Sequence, residues 1–303
     1  MEIIDGHVHL MEPVGHRDTV FQETTGKFGR LLEADGSFFQ YLPPYMKDSC
    51  FDAETLIATI DHYGVSKAIL MAHLGTGINE MNLAAQAAYP DRIYAACSVD
   101  PYDDQAADQI QKLRKKGCRI LKFEMRSMNE LFGETLLSSE SMQAVIDAAA
   151  GNGMTIAIDP GPCRFSFYHP EEFRATAAAY PDTHFVMCHM GLPYYGIEKS
   201  AGDLERWKQM TCALALPNVW TDTSAIPDLF CEEEYPYPSA MECFRYLVQR
   251  YGSGKMIWGT DIPGTLKNAT YPQMMRLFER CSALTEENKA ALFAENAREA
   301  YRI

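Results

Sequence analysis

Residues 67–97 read KAILMAHLGTGINEMNLAAQAAYPDRIYAAC, which is a short apolar run, a helical pattern and a second apolar run. The two apolar runs have the length and composition of buried strands, and NEMNLAAQAAY between them is typical of a helix. A strand, a crossover helix and a second strand favour parallel pairing through a right-handed connection. This stretch therefore predicts an α/β fold.

The same unit recurs along the whole chain. Eight apolar runs alternate with helix-like segments: EIIDGHV (2–8), KAILMA (67–72), RIYAACSV (92–99), CRILKFEM (118–125), MTIAID (154–159), HFVMCH (184–189), NVWTDTS (218–224) and KMIWGTD (255–261). Eight is the number of strands that closes a β/α barrel, so we predict one domain over 1–303, a single (β/α)8 TIM barrel. An open doubly wound sheet is the alternative. That fold more often carries a glycine-rich phosphate loop after the first strand, where this chain has histidines.

A long segment, residues 11–52, separates the first strand from its helix. Usual connections in this position have about 2 to 6 residues. The segment contains several aromatic side chains that can pack: Phe21, Phe28, Phe38, Phe39, Tyr41 and Tyr45. We interpret it as a lid or rim at the C-terminal face of the barrel, where active sites of this fold lie. An oligomer contact is the other interpretation, and a second, shorter insertion, CEEEYPYPSA (231–240), lies on the same face.

Composition excludes several classes of partner. The 303 residues include 27 Lys and Arg against 41 Asp and Glu, a formal net charge of −14. Such a balance argues against a nucleic acid or an anionic membrane surface as the main partner. The N-terminus lacks the pattern of a secretory signal, and nine cysteines are scattered without a C-x-x-C pair. We therefore expect a soluble cytoplasmic protein with reduced thiols.

Histidines end the first predicted strand. His7 and His9 are two residues apart, so both side chains point to one face of the strand, and two imidazoles there can ligate one metal ion. Two surface histidines are the alternative when the pair is taken alone. The sixth strand ends at His189 and the eighth at Asp261, which a hydrogen-bonded core histidine and a turn aspartate would also explain. Their joint occurrence at three strand ends favours a site.

These residues resemble the amidohydrolase superfamily, in particular the branch that includes aminocarboxymuconate semialdehyde decarboxylase and related metal-dependent hydrolases. The motifs that carry the resemblance are DGHVH (5–9), FVMCHMG (185–191), WGTDIP (258–263) and ENAREAYRI (295–303). The resemblance covers essentially the whole chain. It implies a β/α barrel with one divalent metal ion, usually zinc. His7, His9 and Asp261 would be ligands, and His189 would be a ligand or an acid/base group.

One position departs from that family. Members of the branch usually end strand five with a histidine that binds the metal, and this chain has Asp159 there. A carboxylate can still ligate zinc and favours harder ions, so manganese or iron are alternatives. We expect Asp159 to be a direct ligand. The other interpretations are a carboxylate that orients a ligand by hydrogen bonding and a metal-free site, since some relatives, such as pyrone dicarboxylate lactonase, work without metal.

Further polar residues follow the strand ends. Lys122 and Glu124 share a face of strand four with Ile120 and Arg126, and we favour an internal ion pair or a substrate contact there over a bridge between two metals. Four residues are candidates for contacts with an anionic substrate: His73, Glu124, Arg126 and Arg164.

The resulting functional prediction is metal-dependent hydrolysis of a small, carboxylate-bearing molecule at an amide, ester or lactone bond. A metal-activated water would attack, with Asp261 as general base and His189 steadying the oxyanion. The same residues can support nonoxidative decarboxylation. The remaining alternatives are a metal-independent lactonase and a non-catalytic barrel. A homodimer is expected because symmetric pairs are the commonest assembly.

Overall fold

The computed structural model describes residues 2–18, 20, 22–75 and 77–303. Eight parallel strands alternate with helices in it, which confirms the predicted (β/α)8 barrel. The barrel strands in spatial order are β1 (Ile4–Val8), β5 (Lys67–Leu70), β6 (Ile93–Cys97), β7 (Ile120–Glu124), β8 (Thr155–Asp159), β9 (Phe185–Met187), β10 (Val219–Asp222) and β11 (Met256–Ile257). Each barrel strand pairs in parallel with the next barrel strand along the chain.

Backbone hydrogen bonds between the two ends of the sheet close the barrel. Gly6 donates its amide to the carbonyl of Trp258 at 2.9 Å, and the amide of Asp261 donates to the carbonyl of His7 at 2.8 Å. The chain after β11 therefore runs beside β1. This places the residues that follow the last strand next to the histidines of the first.

The core has two layers, as a barrel requires. Ala157 lies with the small inner cluster of the barrel, while Ile156 and Ile158 belong to the larger cluster between strands and helices. Successive residues of β8 therefore face the helices and the barrel interior in alternation.

Helices cover the outside of the barrel. Their bounds are α1 (Ala53–His62), α2 (Ile78–Ala88), α3 (Ala106–Lys115), α4 (Met125–Phe132), α5 (Glu140–Gly151), α6 (Pro170–Ala179), α7 (Ala201–Thr211), α8 (Ile226–Leu229), α9 (Pro238–Tyr251), α10 (Tyr271–Glu279), α11 (Glu286–Ala290) and α12 (Asn296–Tyr301). α5 shows why such sequences form helices here. Its buried residues Met142, Val145, Ile146 and Ala149 recur at the spacing of one helical face.

The inserted segment forms a small antiparallel sheet of its own. Its strands are β2 (Thr24–Thr25), β3 (Arg30–Leu32) and β4 (Phe38–Gln40). The aromatic side chains expected to pack are mostly exposed: Phe28, Phe38, Phe39 and Tyr45. Tyr41 is the exception with a packed position, and Phe21 lies outside the described residues. The expectation of a packed aromatic insertion is therefore wrong for most of these residues.

Two further sequence features have structural counterparts. All nine cysteines are free; five of them are buried, and Cys231 is exposed. In the described part of the chain, none of the helices combines the length and the apolar character that a membrane span needs.

Candidate metal and active site

The site begins with two histidines at the end of β1. His7 and His9 are both buried, and their Nε2 atoms lie 3.2 Å apart. Both rings point the same way because side chains two apart share one face of a strand. Burial lowers the pKa of both histidines, and for His9 the nearby imidazoles and Lys122 lower it further. The pair therefore offers neutral imidazole nitrogens.

Asp261 completes a three-residue group with the histidines. Its Oδ1 lies 3.2 Å from Nε2 of His9 and 3.7 Å from Nε2 of His7. β11 ends at Ile257, so Asp261 follows the strand rather than ending it, with a left-handed φ of 63°. The hydrogen bond that its amide donates to the carbonyl of His7 fixes this position. Burial raises the pKa of the Asp261 carboxyl above its usual value.

Asp222, at the end of β10, was missed by the sequence interpretation. Its side chain is fully buried, and Nδ1 of His7 donates to its Oδ2 at 3.0 Å. Charge and hydrogen bonding from His7, with His189 and Ser224, outweigh burial and lower the pKa of Asp222. Because the proton of His7 is held at Nδ1 by this carboxylate, the lone pair on Nε2 faces His9 and Asp261.

His189 lies in a turn, not in a strand. β9 ends at Met187, and His189 has a φ of 57° in the following turn. Its amide donates to Oδ1 of Asp222 at 2.9 Å, and its Nδ1 lies 2.7 Å from Oγ of Ser224. Ser224 in turn donates to Asp222. The serine therefore accepts the Nδ1 proton, and Nε2 of His189 faces the site.

Asp159 lies beside His189. Its Oδ2 is 3.5 Å from Nε2 of His189, and its Oδ1 accepts a hydrogen bond from the amide of Gly161 at 2.8 Å. Burial alone would lower the pKa of His189, but the hydrogen bond to Asp159 and the charges of Asp222, Asp159 and Asp261 raise it to about 9. Burial of Asp159 is likewise outweighed by His189, which lowers the pKa of this carboxyl.

Two groups of side chains could hold a metal ion. One is His7, His9 and Asp261, and the other is His7, His189 and Asp222; in each, the ligand atoms lie within 4.8 Å of one another. Asp159 belongs to neither group, so its role as a ligand stays a prediction.

The first group fits a divalent ion. Two neutral imidazole nitrogens and a carboxylate oxygen converge, and the lone pair of His7 would otherwise face the nitrogen of His9. Nδ1 of His9 has no hydrogen-bond partner among the described residues. The mixture of nitrogen and oxygen donors suits zinc, manganese or iron.

A second polar cluster borders the histidines. Nζ of Lys122 lies 2.9 Å from Oε1 of Glu124, which confirms the internal ion pair, and Nδ1 of His73 lies 2.8 Å from the same oxygen. His73 also stacks on His9, with 4.2 Å between ring centroids and 13° between the planes. The contacts with His73 and Lys122 outweigh the burial of Glu124 and lower its pKa well below the usual value.

The inserted segment reaches this cluster through one residue. The hydroxyl of Tyr41 lies 3.4 Å from Nε2 of His73, a long hydrogen bond. Gly264, in the loop after β11, lies close to Tyr41: a Cβ atom built on Gly264 would lie 3.9 Å from the backbone oxygen of Tyr41. Tyr41 thus spans from the end of β5 to the loop after β11, and the sequence interpretation gave it no role at the site.

The two arginines proposed for substrate anions lie differently from the expectation. Arg126 is not on strand four, because β7 ends at Glu124 and α4 begins at the next residue. Its Nε pairs with Oε1 of Glu130 at 2.8 Å on the exposed side of the helix. Arg164 is exposed beside the rings of Phe165 and Tyr194. Neither joins the histidine cluster in the described contacts.

The fold and the cluster define an α/β barrel with a histidine and aspartate site at the carboxyl ends of its strands. The sequence model of the amidohydrolase family matches residues 4–303, and the chain belongs to this family of enzymes. No curated protein matches the chain.

Solved structures share the fold. One is a probable 2-pyrone-4,6-dicarboxylic acid hydrolase from Acinetobacter baumannii with citric acid bound, 17% identical over 100% of both chains, with a TM-score of 0.74. Another is an amidohydrolase from Burkholderia multivorans with bound zinc, 16% identical over 100% of both chains, TM-score 0.76. A third is the 5-carboxyvanillate decarboxylase of Novosphingobium aromaticivorans with bound manganese. It is 18% identical over 84% of this chain and 82% of that one, with a TM-score of 0.58.

Proposed function

We propose that this chain is a metal-dependent hydrolase that cleaves an amide, ester or lactone bond of a small molecule. The observation that carries the proposal is the convergence of Nε2 of His7, Nε2 of His9 and Oδ1 of Asp261, with the proton of His7 held away from them by Asp222. Zinc in the Burkholderia multivorans protein and manganese in the decarboxylase support a divalent ion in this fold.

His7, His9 and Asp261 would hold the ion. When bound, it polarises the scissile carbonyl and makes water a better nucleophile near neutral pH. Asp261 accepts the proton of the attacking water on its carboxylate and returns it to the leaving group. Nε2 of His189, which Asp159 keeps protonated, donates a hydrogen bond to the oxygen that gains charge. Asp222 and Ser224 hold the two imidazoles in the orientations this needs.

Charges in the site restrict the substrate that we propose. Lys122 is paired with Glu124, and Arg126 is paired with Glu130. Asp159, Asp222 and Asp261 add negative charge around the histidines. Among the described residues, the cluster therefore holds no arginine that is free to clamp a second carboxylate. A substrate with one carboxylate, held near His73 and the ion, fits better than a dianion.

Metal analysis and isotope labelling test the proposal together. Protein purified without chelator should contain close to one equivalent of zinc, manganese or iron, and turnover of ester and lactone substrates in ¹⁸O water should label the product. His7→Ala and His9→Ala should lose both metal and turnover. His62→Ala, an exposed histidine of α1, is the matched control and should keep both. Full metal content and turnover in both site variants would refute the proposal.

Nonoxidative decarboxylation is the second candidate function. The observation in its favour is the position of His189, whose Nε2 faces the site and lies 3.5 Å from Oδ2 of Asp159. The hydrogen bond to Asp159 and the charges of nearby aspartates outweigh burial and raise the pKa of His189 to about 9, so this side chain would donate a proton to carbon at neutral pH. Release of CO₂ without incorporation of ¹⁸O would favour the decarboxylase over the hydrolase. Substoichiometric metal, with no gain in turnover after metal addition, would favour a metal-free lactonase or a non-catalytic barrel.

Two properties of the whole protein are also proposed. Nine free cysteines are compatible with a reducing compartment, which supports a cytoplasmic location. We also propose that the protein is a homodimer, and light scattering tests this by measuring its molar mass in solution.

A further inference from the structure

A groove lies on the outer surface of the barrel, between α9 and α10. Its volume is about 310 Å³, which is within the usual size of small-molecule sites. Its apolar lining includes Met241, Leu277 and Cys281, all buried. None of the groove residues belongs to the cluster around His7, His9 and Asp261.

Three arginines line the same groove: Arg245, Arg276 and Arg280. Their side chains have no ion pair or hydrogen bond with any described residue. Some other arginines of the chain form ion pairs, such as Arg92 with Asp61 and Arg126 with Glu130. The chain has 41 acidic residues against 27 basic ones, so carboxylates are not scarce.

Two of these arginines repel each other. Arg276 and Arg280 are four residues apart at the C-terminal end of α10, a spacing that brings like charges close together on one face of the helix. Three glutamates lie in the nearby loop, Glu232, Glu233 and Glu234. Glu233 accepts hydrogen bonds from Ser239 at the start of α9, and in the described part of the chain none of the three forms an ion pair with these arginines. Arg276 and Arg280 are exposed and Arg245 is half-buried, so an anion in the groove would reach all three guanidinium groups.

We propose that this groove is a binding site for a small organic anion with an apolar body and at least two anionic groups, carboxylate or phosphate. Each guanidinium can give two parallel hydrogen bonds to such a group. The buried apolar residues would contact the body of the ligand, and this contact distinguishes it from an inorganic ion. The site is separate from the metal centre, so the proposal is independent of the proposed function.

Calorimetric titration of the full chain with benzene-1,3-dicarboxylate tests the proposal. We expect one site per chain, with the same Kd in metal-loaded and metal-stripped protein. The double variant Arg276→Gln, Arg280→Gln should bind about tenfold more weakly or worse. Arg174→Gln, an exposed arginine of α6, is the matched control and should bind as the wild type does.

Inorganic phosphate and benzoate complete the experiment. Phosphate lacks the apolar body and benzoate lacks the second charge, so both should bind more weakly than the dicarboxylate. An absence of binding in the wild type would overturn the proposal, as would an unchanged Kd in the double variant. Phosphate binding as tight as that of the dicarboxylate would overturn the assigned ligand class. A Kd that differs between metal-loaded and metal-stripped protein would indicate binding at the metal centre in the barrel, and it would also overturn the proposal.

Discussion

Oδ2 of Asp222 lies 3.0 Å from Nδ1 of His7, and both side chains are fully buried. Through its other oxygen, the same carboxylate accepts hydrogen bonds from the amide of His189 and from Ser224, which contacts the ring of His189. One aspartate therefore orients two imidazoles that come from different parts of the chain. Such partners commonly fix the ring and the proton position of a metal-binding histidine.

The first prediction concerns Asp222→Asn. An amide in this position removes the buried charge and can present its NH₂ to Nδ1 of His7, which would move the imidazole proton to Nε2. We expect zinc affinity to fall about 10- to 100-fold. Competition with a chromophoric chelator measures it. The control is Asp61→Asn, which removes a carboxylate of α1 that pairs with Arg92 and should leave the zinc affinity unchanged. Equal losses in both variants would contradict the role of Asp222 in orienting His7.

The second prediction concerns pH and His189 in the metal-free protein. A histidine whose folded pKa is raised binds more protons when folded, so its stabilisation is complete below about 6.5 and is lost as the pH rises through about 9. Asp159→Asn removes the nearest negative partner and should lower the pKa of His189. NMR titration of the imidazole measures this pKa. The fall in thermal stability between pH 6.5 and pH 9 should also be smaller in the variant.

The outcome that contradicts this prediction is a His189 pKa that is the same in both proteins. That result would mean that Asp222 and Asp261 alone hold the proton. The experiment needs no substrate, so it remains informative if the proposed reaction is wrong.

The third prediction asks whether Asp159 also binds the ion. We expect Asp159→Ala to lower metal occupancy strongly and Asp159→His to preserve it, with a shift in preference towards zinc. Metal content after dialysis against a zinc and manganese mixture measures both effects. An alanine variant with full metal content and normal turnover would leave Asp159 as a turn residue that accepts the amide of Gly161.

The (β/α)8 barrel could be predicted from the sequence because apolar runs and helical patterns alternate along the chain. The side-chain periods of strands and helices follow from local backbone geometry, so both can be recognised without the structure. His7, His9 and Asp261 were found because polar residues that end barrel strands meet at one face. Asp222 shows the same feature, at the end of β10, but NVWTDTS was interpreted only as a strand. The criterion that indicates His7, a polar residue at the end of a barrel strand, therefore indicates Asp222 as well.

Other parts of the site had no local indication in the sequence. Tyr41 reaches His73 only because the insertion folds back over the barrel, and its neighbours in sequence give no sign of this contact. The prediction that Arg126 shares a strand face with Lys122 and Glu124 is wrong, because the alternation of side chains along the strand ends at Glu124. α4 begins directly after β7, since burial of Met125 and Met128 on one helical face favours the helix.

The fourth prediction concerns the closure of the barrel at Gly6. A Cβ atom there would lie 2.5 Å from Cγ2 of Ile257 and 2.9 Å from the backbone oxygen of Trp258, which accepts the amide of Gly6. Gly6→Ala must therefore push β1 and β11 apart, and we expect a loss of about 1 to 3 kcal/mol in the free energy of unfolding. Gly151→Ala, at the end of α5 with open space around it, is the control and should be neutral or stabilising. Urea unfolding compares them. Because the same strands position His7 and Asp261, the Gly6 variant should also bind zinc more weakly. A Gly6 variant with wild-type stability and zinc affinity would contradict the prediction, because it would show that the strand ends adjust independently of this contact.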